Sequence, residues 1–290
     1  MENNAGIYRK KKRTTDTYMY ILIYLSAALA VVLLLSIIGY VVVKGIGVVN
    51  WDFLTKAKSA IEGTNGIAGN IINTLYIIVI TLLIATPIGV GSAIYLNEYA
   101  KPGKLVRIIE FTTETLSGIP SIIYGLFGMA FFGTTLGLGY SILTGSLTMA
   151  IMILPLITRN TQEALKTVPE SYKSGALGIG ATKWYMIRTI LLPSAMHGIV
   201  TGIILAIGRI VGESAALLFT AGSSYFLPKA GVGLLNKVME SGGTLTIQLY
   251  LSMQKAEYDV AFGIGVVLIV IVLVINTMTK VLSKKLRRES

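Results

Sequence analysis

Apolar residues along this chain gather into runs of twenty or more, separated by short polar stretches. They fall at Tyr18–Val43, Asn70–Leu96, Ile108–Gly133, Tyr140–Thr158, Ser194–Gly222 and Val260–Thr279. A helix needs about 20 such residues to cross ~30 Å of hydrocarbon, so the pattern predicts six membrane-crossing helices and an all-α, polytopic membrane protein. The third run carries Glu110 and Glu114 in its first two turns and is interrupted by Gly118 and Pro120. Such breaks are tolerated only where protein or water satisfies the freed backbone groups, which places them at a helix interface rather than against lipid.

Composition agrees: 53% of residues are hydrophobic, 13% are charged and mean hydropathy is +0.72. So much apolar surface fits lipid as the solvent. A net charge of +11 would suit nucleic acid only with a basic face in a groove-reading context, and here the cations are instead sorted by membrane side. Eighteen Lys and Arg flank one set of run ends, including the cluster Arg9–Arg13, and six flank the other. The positive-inside rule then puts both termini in the cytoplasm. Residues 1–17 read as a basic cytoplasmic segment, 18–43 as a first helix too long for a cleaved signal, 70–279 as a five-helix core and 280–290 as a basic cytoplasmic tail.

Within the fifth run, Arg209 precedes Glu213 by one helical turn. Bringing either charge into hydrocarbon costs about 2.5 to 3.5 kcal/mol or more, so both must face protein or water. Positions 202, 206, 209, 213, 216 and 220 share one face if the run is a single helix, and read Gly, Ala, Arg, Glu, Ala, Thr. Two readings stand. The pair neutralises itself inside the bundle, or Arg209 lends positive potential to an anion path, with Glu213 holding it and Thr220 further along. Glu110, Glu114, Ser117, Ser121, Tyr124 and Gly128 form a comparable stripe on the third run; Ser117 and Ser121 either line a path or bond neighbouring helices, and the two glutamates are expected to snorkel or pair with Lys104 or Arg107.

Catalytic chemistry finds little support. Asp16, Asp52 and Asp259 lie outside the runs, His197 is the sole histidine and cysteine is absent, so no aspartyl dyad, ordinary zinc site or thiolate can be assembled. No phosphate-binding loop occurs, and no cofactor signature. An ATP-driven role therefore requires a separate motor touching the chain, and the 159–193 loop on the cytoplasmic side is the candidate. There Pro169 opens a helix and Gly178 to Gly180 breaks it, predicting helix, turn, helix.

The same loop carries a resemblance. SGALGIGATKWYMIRTILLP, Ser174 to Pro193, resembles the EAA loop of ABC-transporter permeases: Ala176, Gly180, Ile190, Leu192 and Pro193 fall in register, while Ser174 stands where the family has Glu and Gly175 where it has Ala. With AIYLNEYA (93–100), ETLSGIPSIIYGLFG (114–128) and GRIVGESAALLFTAG (208–222), the chain is similar to phosphate-import permeases of PstA type. The resemblance implies a type I ABC importer subunit of the inner or plasma membrane, moving inorganic phosphate inward. Its implied partners are a PstC-type permease, a PstB-type ATPase dimer docking at the loop and an extracytoplasmic PstS-type phosphate-binding protein, in contact with membrane lipid. Rival readings are the PstC-type role, import of sulfate or molybdate, and an ATP-independent channel or scaffold.

Overall fold

The computed structural model describes residues 14–59, 64–101, 103–227 and 234–289. The basic cluster Arg9–Arg13 lies outside the described residues. Each apolar run is helical. α1 (Thr14–Gly45), α3 (Ala68–Ile94, continued by a π turn to Tyr99), α6 (Ile142–Lys166), α9 (Leu192–Gly212) and α13 (Tyr258–Glu289) are the long helices. Between α1 and α3 lie the short α2 (Trp51–Thr55) and a two-stranded hairpin, β1 (Lys58–Ser59) with β2 (Thr64–Asn65).

The third run is not one straight span. α4 (Lys104–Ser117) and α5 (Ser121–Gly128, running on as a π segment to Thr135) meet at 102°. Pro120 has no N–H to donate and sits extended at ψ 138°, which ends the first helix and caps the second. The stripe expected along this run therefore divides at Ser117. Counting the bent pair as one span, six segments among the described residues are long and apolar enough to cross a membrane. Glycines in α5 serve close packing: a Cβ on Gly125 would lie 2.9 Å from Ala216 Cα, and one on Gly128 would collide with Thr148.

The fifth run also divides, against the single helix expected of it. α9 stops at Gly212, Glu213 is extended (ψ 124°), and α10 (Ala215–Thr220) begins anew. Local bonds explain the break: the Glu213 carbonyl accepts the Thr246 hydroxyl at 2.8 Å, and its Oε1 accepts the Ala216 N–H at 3.1 Å. A side chain and a neighbour's hydroxyl thus replace the ladder bonds a continuous helix would make.

Three apolar clusters hold the molecule. The middle one joins Ile77, Tyr124, Met149, Ile153, Ala206 and Leu217 from α3, α5, α6, α9 and α10. A second, at the end carrying α7 (Glu170–Gly178) and α8 (Lys183–Met186), joins Leu165, Ala176, Ile187, Leu191 and Ile199; this is called the connector end below. A third, at the opposite end, joins Phe53, Ile67, Leu245 and Ile264, where α12 (Leu245–Gln254) packs on α13; α11 (Leu234–Val238) precedes it.

Candidate functional site

At the connector end a cavity of about 670 Å³ opens between α4, α6 and α9. α4 contributes Arg107, Glu110, Glu114 and Ser117, α6 contributes Arg159, Glu163 and Lys166, and Tyr124 and Arg209 complete the wall. Arg209 stands seventeen residues beyond the start of α9, about 25 Å along its axis, and so marks the inner end of the cavity. Lys166, in the last turn of α6, marks the mouth.

The charges are unevenly paired. Arg159 Nη1 lies 3.7 Å from Glu114 Oε1 and its Nε 3.4 Å from Glu163 Oε1, so Glu114 pairs with α6 rather than with the Lys104 or Arg107 expected from sequence. These side chains are more than half exposed, so each pair is worth at most about 1 kcal/mol. Arg209 faces the cavity and makes no ion pair among the described residues. Its expected partner Glu213 is half-buried and occupied with Ala216. The inner end of the cavity is therefore positively charged and free to meet an anion.

Of the residues singled out from sequence, the structure brings Arg209 and Ser117 together on this wall. Ser117 Oγ donates to the Glu114 carbonyl at 2.7 Å. Glu213 and Ser121 stand off the cavity, and Thr220 is fully buried, its hydroxyl donating to the Ala216 carbonyl at 2.7 Å. His197 is exposed near the start of α9.

Below the cavity, the 167–191 connector is a packed unit. α7 ends in a Schellman arrangement, with the Ala181 N–H donating to the Ala176 carbonyl at 3.1 Å and the Gly180 N–H to the Leu177 carbonyl at 3.0 Å. Gly180 supplies the required left-handed conformation at φ +87°. Thr182 then caps α8 by accepting the Tyr185 N–H, and a π turn (Ile187–Leu191) leads into α9, where Pro193 occupies the first turn. Ala176 is buried, and Ile190 and Leu192 pack against the same cluster. Ser174 and Gly175 are exposed. Around them stand uncovered apolar side chains, with Ile179 87% exposed and Tyr172, Leu177, Trp184 and Tyr185 about half so.

Sequence reasoning missed the residue that pins this unit to α3. Glu98, in the π turn Tyr95–Tyr99, receives Lys173 Nζ at 2.8 Å, with side chains only 6% and 14% exposed. Lys183 Nζ donates to the Glu98 carbonyl and sits 4.9 Å over the Tyr99 ring. Burial works against the Lys173 ammonium, but the hydrogen bond and charge of Glu98, with Glu170 adding to them, hold its pKa above the ordinary value. The one available signal was composition: Glu98 is the sole acid in a stretch holding Lys101, Lys104 and Arg107. At the opposite end, Lys58 Nζ meets Glu257 Oε2 at 2.6 Å and, with Lys255, lowers the Glu257 pKa.

Comparison with known proteins supplies the family. The model of the binding-protein-dependent transport system inner membrane component matches residues 85–288. This chain belongs to that family. It is 38% identical over 211 residues, 73% of this chain and 72% of the relative, to the probable ABC transporter permease protein YqgI of Bacillus subtilis. It is 32% identical over 227 residues, 78% of this chain and 80% of the relative, to the phosphate transport system permease protein PstA of Haemophilus influenzae. Among solved structures, a bacterial alginate ABC transporter bound to a periplasmic protein carrying an alginate pentasaccharide aligns with TM-score 0.67 at 18% identity, covering 93% of this chain and 96% of that one. The MetNI methionine ABC transporter, inward facing, aligns with TM-score 0.58 at 21% identity, covering 76% and 94%. The chain is thus a multi-pass permease subunit of an ABC importer with the type I permease fold, a membrane component rather than an enzyme. Such a subunit works with a second permease, a separate ATPase and a binding protein.

Proposed function

We propose that this permease carries inorganic phosphate, as part of a complex with a PstC-type permease, a PstB-type ATPase dimer and a PstS-type binding protein. The observation that carries the reading is Arg209, a cation without a carboxylate partner among the described residues, at the inner end of a charged cavity. Its planar guanidinium suits the oxygens of a tetrahedral oxyanion, and a path without positive charge would oppose phosphate by desolvation alone. Relatives named as phosphate permeases support the same substrate.

In this reading both termini and the connector face the cytoplasm, so the cavity is the inward-open part of the path. The uncovered apolar face of α7 and α8 receives the ATPase. Carboxylates nearer the mouth, Glu110 and Glu163, weaken anion retention there and favour release. The test is uptake of radiolabelled phosphate by the reconstituted complex, with sulfate as competitor. Phosphate accumulation that excess sulfate leaves intact supports the reading; accumulation of sulfate in place of phosphate overturns it.

A further inference from the structure

α9 is joined covalently to the connector through the π turn Ile187–Leu191, so displacement of α7 and α8 reaches Arg209 directly. α3 has no such continuity, being separated from α7 by α4, α5 and α6 along the chain. Besides the packing of Ala93 in the same apolar cluster as Ala176 and Ile187, its charged attachments to the connector among the described residues are Lys173 Nζ on the Glu98 carboxylate at 2.8 Å and Lys183 Nζ, which donates to the Glu98 carbonyl and lies over the Tyr99 ring. Asn97 Nδ2 donates to the same Glu98 Oε1 at 2.6 Å, which fixes the carboxylate.

The other end of α3 is tied equally specifically. Asn70 Nδ2 donates to the Gly243 carbonyl at 3.0 Å, Asn73 Nδ2 donates to the Ser224 carbonyl at 3.0 Å, and Thr74 Oγ1 accepts the Leu245 N–H at 3.1 Å. Both asparagines are essentially inaccessible. Between these ends run 32 helical residues, Ala68–Tyr99, about 48 Å of continuous helix with Pro87 inside it. Gly89 lets this helix lie close on Ile157 of α6, a small-residue contact along which a helix can slide.

We infer that α3 is a transmission rod: Glu98 latches it to Lys173 and Lys183 of the connector, and Asn70 and Asn73 carry its displacement to the backbone at Ser224 and Gly243 at the opposite end. The inference rests on the proposed docking of an ATPase at α7 and α8. It makes Glu98 a positioning residue that moves two ends of the path together, the Arg209 end through α9 and the far loop through α3.

The chain has no cysteine, so Ser223→Cys places its single thiol beside the Ser224 carbonyl that Asn73 holds. In the complete complex in nanodiscs, where both faces are accessible, maleimide labelling of this thiol is followed on the peptide by mass spectrometry, with and without vanadate-trapped ATP. Trapping should change the labelling rate in the otherwise native chain. Glu98→Gln should remove that change while ATP hydrolysis continues. Because Glu98→Gln leaves the buried Lys173 charge only the exposed Glu170 at 3.5 Å, the double variant Glu98→Gln with Lys173→Met serves as control: it removes the underpaired buried charge, so complex yield should recover. The labelling response should stay lost. Recovery of the response in the double variant, retention of it in Glu98→Gln, or its absence in the native chain would each overturn the rod. Phosphate uptake measured on the same native complex is read separately; a labelling response without phosphate uptake would remove the substrate reading and leave the rod standing.

Discussion

Arg209 and Glu213 are one helical turn apart in sequence, yet they have separate jobs. Arg209 faces the cavity, and Glu213 holds the start of α10. Arg209→Gln should therefore abolish or severely reduce phosphate uptake at normal complex yield, because no buried carboxylate is left unpaired by the change. Glu213→Gln should be mild, since the amide oxygen can still accept the Ala216 N–H. Glu213→Leu removes that acceptor and should cost about 1 kcal/mol of stability, the usual worth of a bond to the first turn of a helix. Yield and uptake per assembled complex, measured together, check all three. Loss of yield in both glutamine variants, with uptake per complex unchanged, would point back to a mutually neutralising pair. The presence of a polar site was legible from the expense of charges in an apolar run; its geometry was not, because nothing in the GRIVGES pattern announces that Thr246, thirty-three residues later, claims the carbonyl of Glu213.

At the level of elements, local chemistry read well and long-range chemistry poorly. Pro169 and Gly180 announced the two ends of α7, and the structure supplies the reason: Gly180 sits at φ +87° with open space around it. Steric room does not rescue a side chain there, since the left-handed conformation costs an L-residue roughly 1–2 kcal/mol. Gly180→Asp should leave the protein inserted but weaken co-purification of the ATPase and lower transport, whereas normal association and transport would remove this turn from the coupling role. Glu98 with Lys173 was invisible because the pairing is made only when α3 and α7 come together. Its pH dependence has a definite sign. The Lys173 pKa is raised above its ordinary 10.5, so the pair's contribution is complete below that value and is lost as pH rises through the higher folded pKa. Glu257, lowered from 4.5 by Lys58, behaves oppositely: its contribution is present above 4.5 and is lost as pH falls through the lower folded value. Hydrogen exchange should show α7 protection falling as pH rises into strong alkali, and protection around the far-end pair falling as pH drops into acid.

For the whole molecule, six apolar runs were enough to fix the membrane fold, since a helix must satisfy its backbone internally wherever lipid surrounds it. Hydropathy reports length and solvent but no angle, so the 102° bend between α4 and α5 had no counterpart beyond Gly118 and Pro120. Orientation rests on the sorting of basic residues, eighteen against six. Reporter fusions after Lys58 and Lys237 should register the external side and one after Lys173 the cytoplasm; a cytoplasmic signal at Lys58 would overturn the helix count.

α1 is held differently from the rest. None of its most apolar window is buried within the chain, and it meets α13 at Gly45, whose missing side chain admits the Phe262 backbone, and at Tyr40, edge-on to the Phe262 ring 5.6 Å away. A helix secured to its neighbour near one end, through Tyr40, Val41 and Gly45, and otherwise by its solvent, behaves like a hinged oar. Its tilt should follow bilayer thickness while the five other spans keep their mutual angles, so thin and thick membranes would present the same translocation bundle with a differently inclined first helix.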